Sequence, residues 1–359
     1  MKRTTTKLDP TRTGSEAGRL EKNLRDLIVG QDEAIAQVVK AYQMDLTGLT
    51  PSGRPIANLL FLGPTGSGKT RMVEATAECL VNHSRAVLKI DCAEFQHSHE
   101  ISKLIGSPPG YLGHRETHAL LCQENLNQYH TEQVKISFVL FDEIEKASDS
   151  LWNLLLGILD KGTLTLGDNR KVDFSRAMIF LTSNLGATEM NSLLSPKLGF
   201  NACLPRNESA DGVIDEKLNA KLTRSGVEAA RRKFTPEFIN RLDKIVTFSP
   251  LGPEQLRQIL DIEIKAVQRR IIGSRIGRSF HLTVAESAKA LLLKDGTDLK
   301  YGARHLKRAI ERLLVQPISN LLATGQIERG DSVRVEMNDG QASLSFTKAA
   351  QEVAYEQAA

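Results

Sequence analysis

Lys69 and Thr70 close a run of small residues, Gly63-Pro64-Thr65-Gly66-Ser67-Gly68-Lys69-Thr70, whose types and spacing suit the holding of phosphate. Its glycines let successive backbone N–H groups turn inward around phosphate oxygens. A helix beginning there adds the partial positive charge of its N-terminus. Lys69 can then reach the outer phosphates of a nucleotide, and the Thr70 hydroxyl can take Mg²⁺. Further on, Asp142 and Glu143 end the apolar run 138–141. They supply what a phosphate cradle needs for hydrolysis: Asp142 to hold Mg²⁺ and Glu143 to accept the proton of the attacking water. Another apolar run ends in Thr182-Ser183-Asn184. The Asn184 amide could orient the same water from the opposite side, or cap a following helix; spacing does not choose between them.

These residues need a scaffold that brings them to one edge. The loop lies between the apolar run 57–62, which reads as a buried strand, and 71–80, which reads as a helix. Strand, glycine-rich loop and helix together make a P-loop. Further runs at 86–90, 137–141 and 177–181 alternate with helical patterns. Continuous apolar runs of this length suit parallel strands buried on both faces. The class predicted is α/β, a doubly wound parallel sheet with a smaller, mostly helical C-terminal domain. In such a sheet Asp142 and Glu143 lie at the carboxyl end, beside the P-loop.

Four segments are expected. Residues 1–25 are polar and read as a mobile N-terminal arm. Residues 26–249 make the large nucleotide-binding domain, with 201–232 a charged surface loop or mobile helical stretch. The small domain, 250–347, opens with a helix at Gly252-Pro253, where Leu256, Leu260, Ile264, Val267 and Ile271 recur at helical spacing. A second amphipathic stretch runs through Leu306, Ile310, Leu313, Leu314, Ile318 and Leu321, with a kink expected at Pro317. Alternation in 332–337 and 342–346 around Asn338-Asp339-Gly340 reads as a β-hairpin. Residues 348–359 are left as a tail.

Composition excludes several classes. A net charge of +4, with short dispersed basic clusters, is too small to argue for nucleic acid as partner. No apolar run is long enough to span a bilayer. Met1–Lys7 lacks the apolar core of a secretory signal. Cys79, Cys92, Cys122 and Cys203 stand far apart, as free thiols of a reducing compartment do, and the cytoplasm is expected. His97 and His99 have no partners at zinc-site spacing and read as structural or surface histidines.

Several motifs together carry a resemblance. They are Ile28-Val29-Gly30-Gln31, the P-loop, 105–113 (Ile-Gly-Ser-Pro-Pro-Gly-Tyr-Leu-Gly) and 141–147 (Phe-Asp-Glu-Ile-Glu-Lys-Ala). Thr182-Ser183-Asn184-Leu185-Gly186, 234–243 (Phe-Thr-Pro-Glu-Phe-Ile-Asn-Arg-Leu-Asp) and Tyr301-Gly302-Ala303-Arg304 follow. In this order they resemble the AAA+ ATPases of the Clp type, specifically the C-terminal ATPase module of the ClpB, ClpA and ClpC unfoldases, over about residues 28–346.

The resemblance implies further roles. Asn184 looks like the sensor-1 residue, and Arg241 like the arginine finger that reaches the γ-phosphate bound by a neighbouring subunit. For Arg241 the alternative is a structural pair with Asp243 or Glu237. Arg304 looks like sensor 2, and Ile28 and Val29 match positions flanking the adenine. A finger acting in trans implies a ring, in the family a homo-hexamer. Tyr111 matches the axial pore loop, where an aromatic grips extended polypeptide without reading its sequence. Gly167-Asp168-Asn169-Arg170 lies where the family has a second pore loop. Leu198-Gly199-Phe200 resembles the tripeptide by which some relatives dock on the ClpP peptidase; the alternative is an ordinary loop with a buried Phe.

The implied function is an ATP-driven, Mg²⁺-dependent unfoldase or disaggregase that threads unfolded or aggregated protein. One module predicts a single ring. The sequence departs from the family at His114–His118, after the pore tyrosine, and in the longer connector 123–134. A nucleic-acid motor and a remodeller of one dedicated partner are the competing classes. Tyr111 in its Pro-Pro-Gly context favours protein.

Overall fold

The computed structural model describes residues 8–107, 118–187, 189–190, 216–273, 279–297, 302–338 and 343–349. The chain divides into two compact units, the larger holding most of the described residues up to Ser249 and the smaller those from Pro250 on, together with Thr65–Ser67.

The larger unit is built on a five-stranded sheet. In chain order its strands are β1 (Ala57–Leu62), β2 (Val87–Asp91), β3 (Ser137–Asp142), β6 (Ala177–Ser183) and β7 (Lys244–Thr247). The spatial order is β2-β3-β6-β1-β7, and every neighbouring pair is parallel. β1 and β6 are buried along their whole length, which is why the sequence shows largely apolar runs there. Register aligns the carboxyl ends: Leu62 faces Ser183, and Phe141 faces Leu181. The sheet therefore delivers the chain's candidate site residues to one edge.

Helices cover both faces: α1 (Ser15–Leu27), α2 (Asp32–Leu46), α3 (Lys69–Val81), α4 (Ser102–Ile105), α5 (Gln123–Asn127), α6 (Asp149–Lys161), α7 (Glu216–Lys233) and α8 (Pro236–Ile239). One apolar core packs α1, α2 and α3 on the sheet through Leu24, Val38, Phe61, Phe180 and Phe248. The other packs α6 and α8 on the opposite face through Leu60, Phe141, Leu155, Ile179 and Phe238. The short antiparallel pair β4 (Thr163–Thr165) and β5 (Lys171–Asp173) carries Gly167–Arg170 in its turn. In that turn Gly167 N–H donates to the Ile105 carbonyl at 2.8 Å.

One expectation for this unit needs correction. Residues 15–25 are not a mobile arm. They form most of α1, whose Ala17, Leu20 and Leu24 repeat at helical spacing and are buried on α2 and α3. The apolar stripe is short and flanked by charge, so it is easily overlooked. Of the loop or helical stretch expected over 201–232, residues 216–232 are helical, as α7.

The connector 123–134 opens with α5, and its His130 Nε2 meets Ser137 Oγ at 2.9 Å. Ser137 donates in turn to the Leu126 carbonyl at 2.9 Å, fastening the connector to the start of β3. Burial, helped by Arg176 and Lys135, pushes the His130 pKa down.

The smaller unit contains α9 (Pro253–Ile272), α10 (Glu286–Gly296), α11 (Ala303–Ile310) and α12 (Gln316–Ala323). Its sheet has the order β10-β9-β8, with β8 (His281–Val284), β9 (Ser332–Met337) and β10 (Leu344–Ala349). β9 and β10 pair antiparallel, Met337 facing Leu344, so the strand pair expected at the C-terminus is present and reaches past 347. β8, parallel to β9, is a third strand that the sequence reading left out. The expected kink at Pro317 takes another form. Residues Glu311–Val315 form a π-helical turn that continues α11 into α12, placing this irregularity just before Pro317, which has no N–H to donate.

Candidate active site

The P-loop leaves β1 at Leu62 and enters α3 at Lys69. Its first glycine is required by space. Gly63 has φ 147°, and a Cβ there would lie 2.5 Å from the carbonyl oxygen of Phe248. Gly68, at φ 101°, is the left-handed residue from which α3 starts. The loop thus turns under tight backbone packing on one side and opens onto a helix N-terminus on the other.

Lys69 is 8% exposed. Its Nζ donates to the carbonyls of Gly63 at 2.6 Å and Pro64 at 2.9 Å, and to Asn184 Oδ1 at 3.0 Å. Asn184 follows β6, the strand between β1 and β3. Its Nδ2 donates to Glu143 Oε1 at 3.3 Å, and its backbone N–H donates to Glu145 Oε1 at 3.1 Å. Beside it, Ser183 Oγ accepts from the Leu185 N–H at 3.1 Å. The Asn184 side chain therefore reaches into the site from the strand tip.

Asp142 and Glu143 are separated by a sharp change in backbone. Asp142 ends β3, and Glu143 takes φ 55° and ψ 48°, a left-handed conformation uncommon for a residue with a side chain. Its backbone N–H donates to Thr182 Oγ1 at 3.2 Å, while the same hydroxyl donates to Asp142 Oδ1. Lys89 Nζ, on β2, lies 2.7 Å from Asp142 Oδ2. Burial pushes the Asp142 carboxyl up, but the hydrogen bonds from Lys89 and Thr182, with the charges of Lys89 and Lys69, outweigh it and hold it below the ordinary range. Glu143 is ion-paired with Lys146 one turn on.

Three neighbouring strands thus bring Lys69, Asn184, Asp142 and Glu143 to one edge. The donor set fits a magnesium nucleotide. Asp142 offers a carboxylate kept ionised, Thr70 a half-buried hydroxyl at the start of α3, and Lys69 a cation held at the loop. Among the described residues no group of three or more His, Cys, Asp or Glu could hold a metal ion. Mg²⁺ held by one carboxylate and substrate phosphates needs no such cage.

Other sequence candidates lie elsewhere. Ile28 is buried in the core beside Leu24, and Val29 is partly buried. Gln31, two residues on, pairs reciprocally with the backbone of Ser249: Nε2 donates to its carbonyl at 3.0 Å and Oε1 accepts its N–H at 3.2 Å. Arg241 follows α8. Its Nη1 donates to Glu237 Oε1 at 2.9 Å, and its Nη2 lies 3.7 Å from Asp160 Oδ2. Of the two structural pairs expected for it, that with Glu237 is formed. Asp243 accepts instead from the Asn58 N–H at 2.7 Å. Arg304 lies in the first turn of α11, in the smaller unit. Tyr111, Leu198, Gly199 and Phe200 lie outside the described residues.

Sequence reasoning gave no role to Lys89, Thr182 or Lys146, three of the side chains that hold the two carboxylates. A lone cation within the run 86–90 was the available signal for Lys89. Its meaning depends on the β2–β3 register, which faces Asp91 with Asp142.

The chain is similar to known proteins along most of its length. Residues 54–245 match the family model described as AAA domain (Cdc48 subfamily), and residues 251–335 match the C-terminal, D2-small domain, of ClpB protein. A chaperone protein ClpB of Corynebacterium glutamicum is 37% identical over 92% of this chain and 34% of its own length. A Bacillus subtilis protein, negative regulator of genetic competence ClpC/MecB, is 36% identical over 91% of this chain and 38% of its own. The chain therefore spans little more than a third of the curated relatives it matches. Among solved structures, Hsp104 in a closed-state complex with ATPyS and FITC casein aligns with a TM-score of 0.73 and 29% identity, covering 93% of this chain and 52% of that one. The extended S. cerevisiae Hsp104:casein complex aligns with a TM-score of 0.74 at the same identity, over 93% of this chain and 53% of that one. Among the described residues no helix is long and apolar enough to cross a membrane.

Proposed function

The chain belongs to the AAA+ ATPases of the Clp type, and on that footing we propose that it is an ATP-driven unfoldase or disaggregase acting on unfolded or aggregated protein. The meeting of Lys69, Asn184 and Glu143 at the ends of neighbouring strands carries the hydrolytic half of this reading.

The proposed division of labour draws on this geometry and on the family resemblance. The P-loop backbone from Pro64 to Gly68 would cradle the phosphates, with Ile28 and Val29 beside the base. Lys69 would exchange its loop carbonyls for phosphate oxygens while keeping Asn184. Mg²⁺, held by Thr70 and Asp142, would offset charge on the phosphates. Glu143 would accept the proton of a water oriented by Asn184. Arg241 would act on the nucleotide of the next subunit in a homo-hexameric single ring, a contribution of roughly 10³ to 10⁵ in rate for a finger of this kind. Arg304 would report from residues 250–347, the proposed small domain, while residues 26–249 with the α1 helix form the large one.

Tyr111 is proposed as the residue that grips substrate in the pore. The casein named in both Hsp104 structures supports a protein substrate, as does the similarity to ClpB. A ClpP-like peptidase would dock at Leu198-Gly199-Phe200, a branch supported by the similarity to ClpC/MecB. Retention of that peptidase by the intact chain but not by Phe200→Ala tests this branch. The cytoplasm is the proposed compartment.

The deciding experiment pairs two variants. Glu143→Gln with ATP should give rings, visible by electron microscopy, that bind nucleotide but do not turn over. Tyr111→Ala should hydrolyse ATP at a normal rate and fail to unfold a tagged substrate. Normal unfolding by Tyr111→Ala, or normal hydrolysis by Glu143→Gln, overturns the respective assignment.

A further inference from the structure

Asn58 is a polar residue in the middle of an apolar strand. It is the second residue of β1, fully buried, with Ala57 before it and Leu59 after it. A carboxamide buried there requires partners for its donors, and it has two. Nδ2 donates to the carbonyl of Leu159 at 3.0 Å and to the carbonyl of Arg241 at 3.1 Å. The backbone of Asn58 is engaged in the same place: its N–H donates to Asp243 Oδ2 at 2.7 Å, and its carbonyl accepts the Asp243 N–H at 2.9 Å.

The two side-chain contacts have one thing in common. Leu159 immediately precedes Asp160, whose carboxylate is 3.7 Å from the Arg241 guanidinium. One NH₂ group therefore ties the backbone of the arginine to the backbone beside its counter-anion. Glu237, at 2.9 Å, holds the guanidinium from the other side. Arg241 is only 24% exposed in this arrangement, and its Nε is buried without a hydrogen-bond partner among the described residues. The guanidinium is held at its tip by Glu237 and Asp160, and the backbone is held at the root by Asn58.

We infer that Asn58 is a positioning residue for Arg241, fixing the root from which its guanidinium extends to the nucleotide of a neighbouring subunit. The inference rests on the reading of Arg241 as a finger acting in trans. A guanidinium at the end of a long side chain needs a fixed origin, because a displacement of about 1 Å at a catalytic group can lower a rate on the order of 100-fold. Asn58 supplies that origin from β1, the strand that also carries the subunit's own P-loop. Its contacts do not touch Lys69, Asp142 or Glu143, the residues of the subunit's own site.

The test uses the full chain and three single variants. Asn58→Leu keeps the number and branching of the side-chain heavy atoms and removes both donors. Asn58→Ser keeps one hydroxyl donor and serves if the leucine variant does not fold. Arg241→Ala removes the finger. Either Asn58 variant should lower kcat for ATP hydrolysis by roughly 10- to 100-fold with KM little changed. Combining it with Arg241→Ala should give no further loss, since both act through one group.

Mixing gives a second readout that a merely structural residue would not move. Asn58→Leu subunits have a sound nucleotide site and a displaced finger, while Glu143→Gln subunits have the reverse. Co-assembled at equal amounts, they should hydrolyse ATP faster than either alone. Losses that multiply in the double variant, an unchanged kcat in both Asn58 variants, or mixed rings no faster than their components would overturn the role of Asn58. An unchanged rate in Arg241→Ala would instead overturn the finger itself, and this inference with it.

Discussion

The Asn184 carboxamide stands between Lys69 and Glu143, accepting from Nζ at 3.0 Å and donating to Oε1 at 3.3 Å. A carboxamide has an acceptor and a donor on one rigid group, so it can tie a cation to a carboxylate. Asn184→Ala should lower kcat on the order of 100-fold while leaving nucleotide affinity nearly unchanged. Asn184→Asp should be at least as slow, because it sets a second carboxylate against Glu143 in place of a donor. Steady-state kinetics beside equilibrium binding separates the two effects. A large loss of affinity at unchanged kcat would place Asn184 with the phosphate binders instead.

Lys89 gives the site a pH dependence. The folded-state pKa of Asp142 lies below its ordinary value, with Lys89 among the causes. Its contribution to stability is therefore present above the ordinary carboxylate pKa of about 3.9, and is lost as pH falls through the lower folded value. Lys89→Met should melt below the wild type at pH 7, and the gap should close below about pH 4. Lys89 is about half exposed, so solvent screening keeps the difference under about 1 kcal/mol. Added salt should shrink it further. A gap that widens on acidification would contradict the assignment; melting curves across pH provide the check.

Leu24 in α1 is fully buried among Ala17, Leu20 and the helices beneath. Leu24→Ala should destabilise the larger unit by about 2–5 kcal/mol, the usual range for a buried leucine truncated to alanine. Urea denaturation measures this directly. A truncation designed to probe the N-terminal segment should end before Ser15, since removal of residues 1–25 takes part of the core with it. A Leu24→Ala protein as stable as the wild type would show that α1 is not integral.

Gly63 has no room for a methyl group against the Phe248 carbonyl. Gly63→Ala must shift either the loop or the end of β7, with a strain of about 1–3 kcal/mol. Nucleotide affinity should fall on the order of tenfold, since each 1.4 kcal/mol changes an equilibrium tenfold. Calorimetric titration with a non-hydrolysed ATP analogue would detect it, and unchanged affinity would mean that the loop accommodates the methyl group without moving.

Much of the site is legible in the sequence because the residues sit at the ends of continuous apolar runs. Asp142, Glu143 and Asn184 each follow such a run, and a parallel sheet makes ends meet. What the sequence does not give is the pairing between runs. Lys89 is one cation in a strand until β2 is set beside β3. Asn58 is one amide in an apolar run until Arg241 arrives from the far end of the unit. β7 and β8 have four residues each, too few for a period to stand out. α1 has the right period, but it lies in a polar stretch that offers nothing else apolar to compare with it.

β1 lies between β6 and β7, and its residues pair with positions 178–183 on one side and 244–247 on the other. The strand that carries the phosphate loop is thus made early in synthesis and enclosed late. Until the ribosome has passed Thr247, one flank of β1 has no partner and stands as an open, apolar edge, the kind of edge that recruits other chains. A chain proposed to unfold other proteins would itself pass through a stage in which it needs shelter.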